Sequence, residues 1–314
     1  MFEILGKVLT PSLLYAAIRT ATPVIYAALC CAVTMQAGIL NIGTEGIMLM
    51  GAWVGVAFSY FSGSWIVGVL AGMVAGMIIA SILALGSIKY RAAMPAICTG
   101  MNMLILAFTR FLLGAVFNVN GTFADPKINA IPRIHLAFLE GIPFIGEVFN
   151  DWCVTEILMI FVVIVLAYVF YKTRWGLRLR AVGKNELAAK SVGINVVKIQ
   201  YQALIFSGAL GGLAGAHLSL GYSNMFVQNM TNNRGFVGLA SMWFGGGDPA
   251  LSALGGFIFG LFESIGSRLQ PYGLPSQLSL AIPYAIILII LAIAMINKKH
   301  VTEKKKKPVI TQDV

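Results

Sequence analysis

Charged residues are scarce in this 314-residue chain, where Asp, Glu, Lys and Arg together account for 11% of all residues. A soluble domain carries about 25% charged residues. Hydrophobic residues account for 58%, and only 12 residues are acidic. This balance excludes a water-soluble fold, because too few charged side chains are present to cover its surface. What the chain does contain is a series of long apolar runs, which are typical of membrane-spanning helices.

Cysteine and histidine are also scarce, with four cysteines and three histidines. Cys30 and Cys31 are adjacent while Cys98 and Cys153 stand alone, so no disulfide framework is indicated. The histidines lack the spacing of a metal site, and paired acids or a Ser/His constellation at membrane depth are missing. The phosphate-binding pattern G-x-x-x-x-G-K-[ST] does not occur. We therefore expect a non-catalytic chain that binds no metal and no cofactor.

Nine apolar segments follow one another along the chain. They predict an all-α polytopic membrane protein with about 8–10 transmembrane helices, some of them broken or re-entrant. The transmembrane domain is expected over residues 1–297 and a basic cytoplasmic tail over residues 298–314. The predicted spans are 11–35, 46–62, 65–88, 94–117, 154–171, 201–221, a short one at 236–247, 250–269 and 276–297.

Charge indicates which side each connection faces. Residues 172–200 carry seven basic residues against one acid, and six lysines lie between residues 298 and 307. Lys and Arg are retained on the cytoplasmic side, so both segments are expected there, in contact with anionic lipid and not with nucleic acid. Residues 118–153 hold four acids and form the expected outer loop. Counting three spans back from Lys89 favours an external N-terminus, unless residues 37–46 are re-entrant.

A short helix is predicted inside the basic segment. Asn185 can cap its first turn, Glu186 suits the positive helix start, Leu187, Ala188 and Ala189 favour helix, and Gly193 ends it. From the residues alone, this helix either rests on the membrane surface or docks a soluble partner.

Residues 37–53 place polar side chains between two apolar runs. Asn41, Thr44 and Glu45 precede Met48 and Trp53, and several glycines loosen the backbone. An acid at membrane depth is tolerated mainly inside a bundle or beside water. A broken helix lining a solute path is one interpretation, and an interfacial turn is the other.

Residues 232–249 have a similar composition. Phe236 and Trp243 follow a polar start, and the order of residue types echoes residues 45–53, which indicates an internal two-fold repeat. Asn102 lies in the fourth span together with Arg110, and their spacing predicts that both face one side. Glu263 and Arg268 are expected to form an interfacial pair.

Three segments carry a resemblance: residues 36–53 (QAGILNIGTEGIMLMGAW), 176–194 (GLRLRAVGKNELAAKSVGI) and 211–216 (GGLAGA). Together they resemble the permease subunits of bacterial ABC importers that move simple sugars, nucleosides and branched-chain amino acids. The sequence NIGTEG is most similar to the nucleoside branch.

The resemblance implies a multi-pass subunit of the cell membrane with three kinds of partner: a cytoplasmic ATPase that binds the ATP, a second permease and an extracytoplasmic solute-binding lipoprotein. It implies that the helix at 185–193 is the coupling helix that docks on the ATPase. The expected substrate path holds Asn41, Thr44, Glu45, Met48, Trp53, Asn102, Phe236 and Trp243. A nucleoside is the expected solute, a simple sugar is the alternative, and an ion-coupled secondary transporter is the rival mechanism.

Overall fold

A computed structural model of the chain describes residues 11–135, 148 and 150–270. Within them it has ten α-helices: α1 Pro11–Gln36, α2 Thr44–Ser62, α3 Trp65–Ala84, α4 Met94–Phe117, α5 Val154–Lys172, α6 Arg174–Lys184, α7 Glu186–Ser191, α8 Val196–Ala216, α9 Arg234–Phe244 and α10 Pro249–Leu269. Two of them continue as π-helix, α3 over Leu85–Lys89 and α8 over His217–Ser223. The four strands are β1 Thr122–Phe123, β2 Arg133–Ile134, β3 Trp152–Cys153 and β4 Phe226–Val227.

Six of these helices, α1, α3, α4, α5, α8 and α10, are long and apolar enough to cross a membrane. The prediction of an all-α polytopic membrane protein is therefore confirmed. The expected last span at 276–297 and the basic tail at 298–314 lie outside the described residues.

The connections after α4 and after α5 lie at opposite ends of the bundle. The end with the acidic connection after α4 is called the outer end, and the end with the basic connection after α5 the inner end, as charge predicts. At the outer end, β1 pairs with β4 and β2 pairs with β3, both antiparallel. The Tyr15 hydroxyl near the start of α1 donates to the carbonyl oxygen of Asp151 at 3.2 Å. The start of α1 therefore lies on the outer-loop side, in agreement with the favoured placement of the N-terminus.

Residues 37–43 interrupt the helical structure inside the bundle. After Gln36 the chain turns at Gly38, whose φ is +78°, and α2 begins at Thr44. The Thr44 hydroxyl lies 3.3 Å from the Cys31 sulfur, about 8 Å before the inner end of α1 at 1.5 Å per residue. Of the two interpretations of residues 37–53, the broken helix agrees with the structure, and α2 starts within the membrane. The break leaves the count of spans back from Lys89 unchanged.

Glycine allows three helices to pack with their backbones in contact. A Cβ at Gly68 of α3 would lie 2.7 Å from the carbonyl oxygen of Gly55, and one at Gly72 would lie 2.9 Å from that of Gly51. One at Gly76 would overlap the carbonyl oxygen of Gly208 on α8. Close approach of this kind lets helices associate where lipid and protein are equally apolar. The glycine ridge of α3 therefore serves packing against α2 and α8.

The helix contacts have the pattern of an inverted repeat. α3 packs along α8 while α10 packs along α1, and α2 packs on α8 while α9 packs on α1. Exchanging α1 with α8, α2 with α9 and α3 with α10 therefore maps these contacts onto one another. The exchanged helices run in opposite directions, since α1 runs from the outer to the inner end and α8 runs back. Transporter folds often have such a repeat, with solute sites near the midplane.

Candidate functional site

The starts of α2 and α9 meet through Glu45. Its carboxylate accepts hydrogen bonds from the backbone N–H of Asn233 at 2.9 Å and of Gly235 at 2.7 Å. These groups belong to the first turn of α9, where the backbone donors lack helical partners and the helix dipole is positive. Glu45 is 8% exposed, so it serves as a buried cap that ties α2 to α9.

Asn102 on α4 supports the start of α2 in a similar way. Its Oδ1 accepts from the Gly46 N–H at 2.9 Å, and its Nδ2 donates to the Ile42 carbonyl at 3.1 Å. Arg110, by contrast, is exposed on another face of α4. The expectation that Asn102 and Arg110 share one face is wrong, because eight residues turn a helix by about 80° beyond two full turns.

Four further expected path residues lie in the protein interior. The Asn41 side chain accepts from the Gly43 N–H at 2.9 Å and shapes the turn before α2. Thr44 and Met48 are at most 1% exposed, and Trp53 is 8% exposed. In this conformation they support the break and face no open space, and their contact with solute stays a prediction.

Phe236 and Trp243 lie on the exposed face of α9, with 40% and 59% of their surface accessible. α9 has 11 residues and is about 16 Å long, half of a bilayer core of about 30 Å. Its inner end is fixed where the Gln36 amide donates to the Gly247 carbonyl at 2.9 Å. α9 therefore begins near mid-membrane and ends at the inner side.

Apart from the two-residue strand β4, the segment 224–233 that leads into α9 is irregular, and it is rich in asparagine. Asn224, Asn229, Asn232 and Asn233 all have positive φ, between 43° and 66°, a conformation that asparagine tolerates better than most residues. All four are exposed. Irregular backbone at membrane depth is tolerated where it lines water or is covered by protein. The residue types alone placed polar groups here, but did not predict the exposed turn that they form.

Arg234 forms the ion pair of this region. Its guanidinium lies 2.6 Å from the carboxylate of Glu263 on α10. The expected pair between Glu263 and Arg268 is wrong, because the start of α9 brings Arg234 to that carboxylate. Arg268 instead donates to the Ser12 hydroxyl at 3.0 Å.

A second candidate surface lies at the inner end, on α7 and the residue that follows it. The helix forms as predicted, with the Asn185 side chain accepting from the Ala188 N–H at 3.0 Å and with Gly193 at a φ of +82°. Leu187 is 81% exposed and Val192 is 75% exposed, so two large apolar side chains face water. Ala188 is exposed beside them, whereas Ala189 is buried against the chain itself. The sequence did not single out Val192, although its place at the helix end is a usable signal.

The basic segment that contains α6 and α7 contacts the rest of the bundle at two points, one on each helix. Glu186 accepts a hydrogen bond from the Gln200 amide on α8 at 2.8 Å. On the preceding helix, α6, Gly183 touches Gly38, and a Cβ at Gly38 would lie 3.3 Å from the Cα of Gly183. The basic segment is thus in contact with both α8 and the break before α2. Sequence spacing gives no indication of this second contact.

A cleft of about 820 Å³ opens between α7, the start of α8 and the segments at 38–40 and 87–94. It contains Glu186 and Leu187 together with Arg91 and Lys190. Among the described residues no group of His, Cys, Asp and Glu has the arrangement of a metal site. The cleft thus combines charged and apolar side chains beside α7.

Comparison with known proteins matches residues 13–291 to the family described as "Branched-chain amino acid transport system / permease component". The guanosine ABC transporter permease protein NupQ of Bacillus subtilis is 33% identical over 93% of this chain and 92% of its own. The nucleoside ABC transporter permease protein NupC of Lactococcus lactis is 33% identical over 87% and 89%. The putative glucose ABC transporter permease protein TsgC13 of Haloferax volcanii is 30% identical over 83% and 79%.

Among solved structures, a chain of PsaBC from Streptococcus pneumoniae, in complex with Fab, superposes with a TM-score of 0.51. The overlap covers 92% of this chain and 94% of that one at 16% sequence identity. This likeness concerns the fold alone.

Proposed function

Because the chain belongs to the family of branched-chain amino acid transport system permease components, we propose that it is the membrane-spanning subunit of an ATP-driven nucleoside importer. It is a multi-pass membrane protein and a transport subunit. ATP is bound and hydrolysed by a separate partner, and this chain supplies the route for the solute and the surface that receives the partner's motion.

The observation that carries the proposal is the exposed α7. A six-residue helix is too short to be stable by itself in water, yet it is capped at Asn185 and attached to α8 through Glu186. Leu187 and Val192 project from it, and burying a leucine side chain gains about 2 kcal/mol. This arrangement fits insertion into a groove of a cytoplasmic ATPase. A secondary transporter driven by an ion gradient has no need of such a helix.

The contacts of the basic segment supply a route for the coupling. Closure of the ATPases on ATP moves α7, α8 follows through the Glu186–Gln200 hydrogen bond, and α6 acts on the break through Gly183 and Gly38. The energy enters as a difference in ATP affinity between two states of the permease. A second permease, identical or homologous, completes the assembly, and an extracytoplasmic binding lipoprotein delivers solute to the outer end.

We place the solute path along the exposed face of α9. Phe236 and Trp243 offer flat surfaces for a base, and the asparagines of segment 224–233 offer donors and acceptors for a ribose. Non-helical backbone at this depth needs water or protein beside it. A path between two permease subunits meets that requirement. Behind this path, Glu45 caps the start of α9 and Asn102 supports the start of α2.

The nucleoside assignment is supported by two relatives of 33% identity whose names refer to guanosine and to nucleosides. The glucose permease relative of 30% identity supports a simple sugar as the second candidate.

The experiment is uptake of labelled nucleosides and simple sugars in cells deleted for this chain, beside cells deleted for the ATPase. Loss of nucleoside uptake in both deletions, restored by the wild-type gene in each case, is the expected result. Loss of sugar uptake alone would replace the nucleoside by the second candidate. Intact uptake of every solute, in cells without other nucleoside transporters, would refute the proposal.

A further inference from the structure

α4 carries an arginine on an exposed face of a membrane-spanning helix. Arg110 lies seven residues before Phe117, the last residue of α4, and so about 10 Å from its outer end. Its side chain is exposed, and within the described residues it has no hydrogen bond or ion pair. A guanidinium at this depth is costly in free energy unless water or a polar group meets it.

Arg110 lines a groove of about 710 Å³. This volume is within the usual range of 300–1,000 Å³ for small-molecule sites. Phe111 and Gly114 of α4 line it beside Arg110, and Asn120 and Gln228 line it as well. The open space beside Gly114, where an added Cβ would meet nothing within 4 Å, leaves room for the long side chain. Cationic, amide and aromatic groups are thus gathered in one groove.

Gln228 connects this groove to the irregular segment 224–233. Its backbone N–H donates to the Gly121 carbonyl at 2.7 Å, which holds the segment beside the outer end of α4. Lipid does not cover irregular backbone at membrane depth. Because Gln228 lines the groove and belongs to this segment, the groove borders the asparagine-rich segment at that residue.

The guanidinium selects among nucleobases by its donor geometry. It presents two parallel N–H donors, which match the O6 and N7 acceptors of guanine or hypoxanthine. Adenine offers N7 as an acceptor but a donor at N6, so only one of these bonds forms. The planar guanidinium also stacks on a base, as does the ring of Phe111. The Gln228 amide adds one donor and one acceptor suited to ribose hydroxyls.

We propose that Arg110 and Gln228 form a solute-contact site that favours 6-oxopurine nucleosides, such as guanosine and inosine, over adenosine. The site rests on the proposed function, because it needs a nucleoside in the path. It adds a selectivity step in the permease itself, after delivery by the binding protein. In this site Arg110 contacts the base and Gln228 contacts the ribose.

The test compares uptake of guanosine, inosine and adenosine by the complete importer in cells lacking other nucleoside transporters. Since the binding protein is the same in every arm, a change in the guanosine-to-adenosine ratio reports on the permease. In Arg110→Gln this ratio is expected to fall about tenfold, as for loss of a bidentate contact to a base. Arg110→Lys keeps the charge but not the two parallel donors, so the ratio is expected to fall similarly.

Lys127→Gln is the matched control, since it removes an exposed positive charge at the outer end without touching the groove. Its ratio is expected to equal that of the wild type. Gln228→Ala is expected to slow uptake of all three nucleosides equally, because each carries the same ribose.

Three results would overturn the proposal. An unchanged ratio in Arg110→Gln would mean that the guanidinium meets lipid phosphate or water only. Equal loss for all three nucleosides, together with loss of the second permease on purification, would make Arg110 a contact between subunits. Absence of nucleoside uptake by the wild-type importer would remove the proposed function itself, and is seen before any variant is compared.

Discussion

The carboxylate of Glu45, in the first turn of α2, lies 2.7 Å from the backbone nitrogen of Gly235, in the first turn of α9. One helix start thereby caps another, within the membrane and between two halves of an inverted repeat. The contact requires glycine at the receiving position, since a Cβ at Gly235 would lie 2.6 Å from the Cα of Glu45. The acid is therefore held in a hydrogen-bonded structure and is poorly placed to carry a proton across the membrane.

Glu45→Ala is expected to destabilise the protein and to impair uptake, because it removes two hydrogen bonds to a charged group. Each such bond contributes about 1.5–3 kcal/mol, so a loss of about 3 kcal/mol in the free energy of unfolding is expected. Thermal unfolding of the purified chain in detergent measures it. Association with the ATPase is expected to remain, because α7 lies at the inner end of the bundle, away from Glu45.

Glu45→Gln is the companion variant, since it keeps one acceptor oxygen and the side-chain length. An intermediate stability is expected for it. If Glu45→Ala showed wild-type stability and full uptake, the capping role would be wrong. If uptake by the wild type were abolished by collapsing the proton gradient at constant ATP, the acid would have the role of an ion-coupling group after all.

Leu187→Asp is expected to abolish co-purification of the ATPase, because it places a charge where an exposed leucine is buried on docking. Leu177→Asp on α6 is the matched control, since Leu177 is a leucine of the same inner segment with 62% exposure. The bundle is expected to remain folded in both, as judged by size-exclusion chromatography. Equal retention of the ATPase by both variants would contradict the docking role of α7.

Gly183→Ala is expected to reduce ATP-dependent uptake while leaving the ATPase bound. The added Cβ would overlap the carbonyl oxygen of Gln36 and would lie 3.0 Å from the nitrogen of Gly38. α6 would then be displaced from the break before α2. Gly100→Ala on α4 is the control, because a Cβ there meets nothing within 4 Å. The ratio of solute transported to ATP hydrolysed measures the effect, and an unchanged ratio in Gly183→Ala would exclude this coupling route.

Much of the fold follows from the sequence, since apolar runs and charge predict the spans, the two sides and the break before Thr44. Local chemistry also predicts α7, because Asn185 and Gly193 act on their own neighbours. The partner of Glu263 and the faces of Asn102 and Arg110 were predicted wrongly. Those depend on how distant helices approach each other, and residue spacing does not contain that information.

The residues expected to line the solute path also depend on contacts between distant helices. A polar side chain in an apolar run indicates only that something must satisfy it, either solute, water or backbone. For Thr44 and Glu45 the structure supplies partners within the protein. For Asn41 it supplies the Gly43 N–H as a partner for Oδ1, whereas the buried Nδ2 has no hydrogen bond among the described residues. Phe236 and Trp243 resemble ordinary packing residues in sequence, yet both lie on the exposed face of α9.

Labelling with a membrane-impermeant maleimide tests which way the helices run. The four native cysteines are buried, and burial raises the pKa of the Cys153 thiol, so little background reaction is expected. Leu187→Cys is expected to react in inside-out vesicles only, and Lys127→Cys in intact cells. Reaction of Leu187→Cys from outside the cell would invert the topology.

The central claim is that this chain conducts a nucleoside when an ATPase acts on α7. Its most direct test is uptake of labelled guanosine into proteoliposomes that contain the purified importer, with solute-loaded binding protein outside, ATP inside and all ion gradients collapsed. The account predicts accumulation that requires ATP and is lost with Leu187→Asp. Guanosine accumulation without ATP, or none with ATP while glucose accumulates, would contradict it.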